Sequence, residues 1–147
     1  MPVTPSKRHV NWTVSFTPSG GSLGAITGVQ NCEIAPNGNL LKHSGDADRF
    51  PTTVVNDFQD PSVTVTHRDL LAQHALAPGI RGVLVCTHLD AKNLAVATGG
   101  GYTATLTNAI IQDNPSGGAH RAYGEGRCMF FAESTDGTTN PLAYAAL

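Results

Sequence analysis

Apolar and polar residues alternate along this chain in short runs, and the polar side of those runs is nearly free of charge. Val10, Trp12, Val14 and Phe16 alternate with Asn11, Thr13, Ser15 and Thr17, the period of a half-buried strand. The run 102–111 alternates for most of its length, with Thr103, Thr105, Thr107 and Asn108 as polar members. Thr64 and Thr66 do the same in alternation with Val63 and Val65. Further strands are predicted at 29–35, with Cys32 and Ile34 on one face, and at 52–58, 62–66, 80–89 and 121–132.

Between these runs lie turn signals and one helix. Asn37-Gly38 is the pair favoured in tight hairpin turns, where both positions can take positive φ. The spacing predicts a helix over 68–77. Thr66 and Asp69 stand at capping-box distance, Leu70, Leu71, His74 and Ala75 share a face, and Pro78-Gly79 ends it. From 40 to 50 neither period holds. With the preceding turn this gives a loop at about 36–51, long for a connection inside a domain. Leu40, Leu41 and Phe50 are costly to leave in water, so the loop is either ordered by a neighbouring molecule or folded back on its own domain. Residues 134–141 are turn-like and 142–147 form an apolar tail, together a C-terminal arm at about 134–147. The pattern predicts one mainly β domain over 1–147, a β-sandwich or barrel of about seven to eight strands with one flanking α-helix.

Composition sharpens this. Only 14% of the 147 residues are charged, against roughly 25% in an ordinary domain. Soluble monomers guard sheet edges with charge, so a β-rich chain without it is expected to cover its strands with copies of itself. A net charge of −2 argues against a grip on nucleic-acid phosphates. Residues 1–9 lack the apolar core of a signal peptide, and no run is long enough to cross a bilayer, so synthesis in a cytoplasm and no membrane partner are expected. Three cysteines without an export signal point to reduced, buried thiols.

Candidate chemistry is sparse. Cys86-Thr87-His88 offers two ligands on one strand face, half a zinc site. Gly45-Asp46-Ala47-Asp48 lacks the further oxygens and closing Glu of a calcium loop, and a turn with Arg49 nearby is the plainer reading. Gly99-Gly100-Gly101 precedes neither a helix nor Lys-Ser/Thr, as a phosphate cradle requires. The six histidines do not cluster, and no residue set fills complementary catalytic roles. No enzyme activity, cofactor or metal is expected.

The order of segments (amphipathic strand, hairpin, long loop, two strands, short helix, second β half) resembles a phage tail tube protein and the related type VI secretion tubes. Gly45-Asp46-Ala47-Asp48-Arg49-Phe50-Pro51 and Asp136-Gly137-Thr138-Thr139-Asn140-Pro141 look like phage structural-protein segments. The resemblance implies a homo-oligomer of stacked hexameric rings in a virion tail, made in the bacterial host cytoplasm. Its partners are further copies, other tail proteins, and DNA that passes without sequence-specific or tight binding. It implies inter-ring or intersubunit contacts at Leu40, Leu41, Asp46, Asp48, Arg49, Phe50, Leu142, Tyr144 and Leu147. A lumen or intersubunit sheet face falls to Thr64, Thr66, Thr103, Thr105, Thr107 and Asn108. Removing 142–147 is then expected to impair assembly more than folding.

Three other classes compete, one of them a small enzyme with a dispersed site, whose signature is a deep cleft gathering several histidines. A β-sandwich binding module for carbohydrate or adhesion needs an aromatic platform, and Trp12 sits on an apolar strand face instead. A decoration or head–tail joining protein forms a cap or single ring without extension.

Overall fold

In the computed structural model, which describes residues 10–22, 24–90 and 101–146, the alternation in the first strand becomes burial. In β1 (Val10–Pro18), Val14 and Phe16 point into the core. The strands that follow are β2 (Gly24–Ile26), β3 (Val29–Ala35), β4 (Gly38–His43), β5 (Thr53–Gln59), β6 (Ser62–His67) and β7 (Arg81–Asp90). After them come β8 (Tyr102–Asp113), β9 (Ser116–Gly117), β10 (Glu125–Ala132) and β11 (Leu142–Ala146), with the helix α1 (Leu70–Ala75) between β6 and β7. All pairings are antiparallel.

One large sheet runs β2-β1-β7-β8-β10-β6-β3 and divides at β8. Along one side β8 pairs with β7; on the other it pairs with β11 over 102–106 and with β10 over 109–113. The two halves fold face to face. Phe16 of β1 meets Phe130 of β10 with ring centroids 5.3 Å apart. Val63, Val65, Leu84, Leu106, Ile111 and Cys128 fill the space between. Within β8 the alternation breaks at Thr107-Asn108, so that Ala104, Leu106, Ala109 and Ile111 all face inward. At Gly82 the strands β1 and β7 come so close that an added Cβ would stand 2.1 Å from the Thr17 carbonyl oxygen.

The helix is six residues long, shorter than the 68–77 its sequence suggests. Asp69 caps it, accepting from the Ala72 N–H at 3.1 Å and from the Thr27 hydroxyl at 2.8 Å, while Thr66 remains in β6. A buried polar network holds it. His67 Nδ1 accepts from the Asp69 N–H, which puts the ring proton on Nε2, donating to Gln73 Oε1 at 2.7 Å. Gln73 Nε2 donates to the Asn114 and Pro115 carbonyls in turn.

Three expectations change. The described chain has eleven strands, not seven or eight: β2 and β9 are too short to show a period, and β4 and β11 lie in segments read as loop and tail. Asn37-Gly38 makes no hairpin, since β3 pairs with β6 and β4 with β5. The last long strand begins at Glu125 rather than 121. Residues 99 and 100 of the triple glycine lie outside the described residues. Cys32, Cys86 and Cys128 are free and buried.

Candidate functional site

The pair β3–β6 and the pair β4–β5 are two lengths of one ribbon, interrupted at 36–37 and 60–61. The first length belongs to the body; the second is a separate two-stranded sheet with every β4 residue exposed. Asn37 holds the break. With φ at 52° it turns its side chain to donate to the Asp60 carbonyl and the Ser62 hydroxyl, both at 2.9 Å, while the Asp60 N–H reaches back to the Asn37 carbonyl at 3.4 Å. The tip is closed by the Thr52 N–H on the His43 carbonyl at 2.8 Å. Asp48 accepts from the Gly45 N–H at 2.9 Å, a local turn contact.

Both faces of this arm carry apolar side chains. Leu41 pairs with Val55 on one face. On the other, Leu40 and Val54 stand beside their partners Asn56 and Lys42, and Phe58 follows beyond a shift in register. All five are half or more exposed, and Phe50 at the tip is 79% exposed. A lone two-stranded hairpin is marginally stable in water, and this one is clad in apolar groups on both sides. Each such side chain gains about 1.5–3 kcal/mol when fully buried.

At the root of the arm a cleft of about 490 Å³ separates residues 56–60 of the β5 strand and turn from the 132–141 connection. Asp136 shapes that connection: its carboxylate accepts from the Thr138 and Thr139 N–H groups at 2.8 and 2.7 Å and from the Thr139 hydroxyl at 2.7 Å. Those donors, the Thr139 N–H foremost, hold its carboxyl well below the usual range.

Leu40, Leu41, Asp46, Asp48, Arg49 and Phe50 are thus gathered on one projecting element. Leu142 and Tyr144 are elsewhere, on β11. Leu142 is 5% exposed and part of the core; Tyr144 is exposed and joins an aromatic row, 5.8 Å from Tyr102, which stacks on His88 at 5.0 Å with Trp12 edge-on. Leu147 lies outside the described residues. The threonines do not form one surface. Thr64 and Thr66 point outward from the β6 half of the sheet; Thr103, Thr105 and Thr107 point outward from the β8 segment in the other half. Asn108, at the break in β8, is half-buried, and its carbonyl accepts from the Glu133 N–H. Sequence reasoning missed Val54, Val55 and Phe58, read as ordinary strand; two adjacent valines, apolar on both faces of a strand, were the available signal.

Among the described residues no three His, Cys, Asp or Glu side chains converge as a metal site, and no helix is long and apolar enough to cross a membrane.

No protein-family model matches the chain, and no curated protein matches it by sequence. Solved structures do match in fold. A chain in the extended-state sheath/tube terminator structure of an extracellular contractile injection system, PVC, superposes with a TM-score of 0.57 at 9% identity, covering 99% of this chain and 98% of that one. A chain in the tail of an empty GTA particle, solved with C6 symmetry, gives 0.55 at 9% identity over 91% and 95%. The crystal structure of Hcp protein gives 0.50 at 12% identity over 92% and 99%. This chain shares the fold of these three structures.

Proposed function

We propose that this chain is the structural subunit of a phage tail tube, stacking as hexameric rings into a hollow conduit for DNA during ejection. One observation carries the reading: an arm apolar on both faces, projecting from a fold shared with tail and tube components. A surface on one part of a molecule that docks onto a different part of its copy is heterologous, and such contacts build rings or open filaments rather than closed pairs.

The arm continues the strands of β3 and β6, so contacts made through it extend that half of the sheet from copy to copy. On this reading Thr64 and Thr66 face the bore, and Thr103, Thr105 and Thr107 face outward or toward a neighbour. Beside Thr64 and Thr66 on that outer face lie Glu33, Arg127 and Met129. One arginine against one glutamate leaves no basic array to release counterions, so duplex DNA slides past without being held. Tail proteins above and below the tube are the other partners, and the mature location is the virion. Sedimentation velocity over a rising concentration series tests the reading: growth through rings to long polymers supports it. A species that stops at one ring favours a joining or decoration protein.

A further inference from the structure

Two braced walls form the cleft at the root of the arm. One is residues 56–60, where the Asn37 amide fixes the Asp60 carbonyl at 2.9 Å. The other is the 132–141 connection, tied by the Asp136 carboxylate and by the Ser134 hydroxyl, which donates to the Thr139 carbonyl at 2.7 Å. Its volume of about 490 Å³ lies within the roughly 300–1,000 Å³ of clefts that take up a ligand. The lining is mixed. Phe58, 65% exposed, Ala132 and Pro141 supply apolar surface, and no Lys, Arg or His lines the cleft. Of its carboxylates, Glu133 is paired with Arg81, whereas Asp57 and Asp60 have no ion pair among the described residues.

The tip of the arm offers the complement. Phe50 and Arg49 are both exposed, and Arg49 has no ion pair among the described residues. Asp48 is occupied by the Gly45 N–H, which leaves Arg49 as the charge next to the ring. The β4 strand alone spans six residues, about 20 Å at ~3.3 Å per residue, so a tip cannot fill the cleft at its own root. Building on the tube reading, we propose that Arg49 and Phe50 of one copy seat in the root cleft of another copy. The ring packs against Phe58, Ala132 and Pro141, and the planar guanidinium pairs with Asp57 and Asp60, the two carboxylates still without a cation. Because both walls are held in place beforehand, little ordering opposes the docking. Tip and root are unlike surfaces. Among copies that share one orientation, each contact leaves a free tip at one end and a free root at the other, so the docking repeats along a stack.

The test places the photo-crosslinking residue p-benzoylphenylalanine at position 50 of the full chain. The assembled protein is irradiated, and linked peptides are mapped in a mixture of isotope-labelled and unlabelled copies. Links from position 50 of one copy to residues 56–60 or 132–141 of another are expected. In parallel, Asp57→Lys with Asp60→Lys should raise the concentration at which polymer forms by at least about tenfold, since the new charges face Arg49 with like sign. Both positions lie outside the core, and the Asp60 backbone keeps its bonds to Asn37, so the melting temperature should hold. Adding Arg49→Glu to that pair should bring polymer back toward the parent's concentration, a recovery that a folding defect cannot produce. Links confined to one chain or reaching another surface, or polymer from the double substitution at the parent's concentration, overturn the docking and leave the tube reading standing. A parent that never grows beyond a ring or a pair overturns both.

Discussion

The Asn37 amide donates to the Asp60 carbonyl at 2.9 Å, across the point where the body's ribbon gives way to the projecting arm. That contact and its companion on Ser62 are the side-chain ties at the break, and each is worth about 0.5–1.5 kcal/mol net. Asn37→Ala removes both and places a non-glycine, non-Asn residue at φ 52°. The arm should loosen by about 1–2 kcal/mol while the core is untouched. Hydrogen exchange should rise over 38–59 and stay unchanged in β7 and β8.

Charge placed on the arm should uncouple assembly from folding. Leu41→Asp and Phe50→Asp change residues that touch no core, so their melting temperatures should stay within about 2–4 °C of the parent, a change of at most ~1 kcal/mol. Both should remain small species on a sizing column. Phe130→Ala is the contrast: it removes a fully buried ring and should cost about 3–5 kcal/mol of stability.

The C-terminal strand behaves differently from what an apolar tail suggests. Five residues of β11 pair with β8, and Leu142 is in the core. Deleting 142–147 should therefore lower stability as well as assembly, and Leu142→Ala alone should cost about 2–4 kcal/mol. Tyr144→Ala, at an exposed position, should leave the melting temperature within a few degrees. Parallel thermal melts of the three proteins check the order.

How much of this was legible depended on where a residue buries its side. Val14, Phe16, Val63, Val65, Leu84 and Leu106 were readable because one face is wet and the other dry, which is what period two reports. The β4 half of the arm was unreadable for the same reason. With Leu40 and Leu41 adjacent on β4, and Val54 and Val55 adjacent on β5, both faces are apolar and no alternation survives. The Thr64 and Thr103 runs look alike in sequence, yet which half of a divided sheet each occupies is fixed by pairing through β8 and β10, many residues away. The helix shortened because His67 belongs to β6 and turns inward to the Gln73 network, moving the cap to Asp69.

Acid should open the turn at the arm's root. The folded Asp136 carboxyl titrates below its unfolded value of about 3.9, so its contribution is complete above that pH and is lost as pH falls through the folded value. The Thr138 and Thr139 amide resonances should hold their neutral-pH positions at pH 4 and move only at lower pH. A midpoint at the ordinary aspartate value means the clamp is not formed. Asp136→Ala should remove the transition.

The most direct test of the tube account is negative-stain electron microscopy of the purified protein at high concentration, beside Leu41→Asp. The account predicts open-ended filaments with a central hole for the parent and none for the variant. A parent that remains a uniform field of single subunits at every concentration contradicts it.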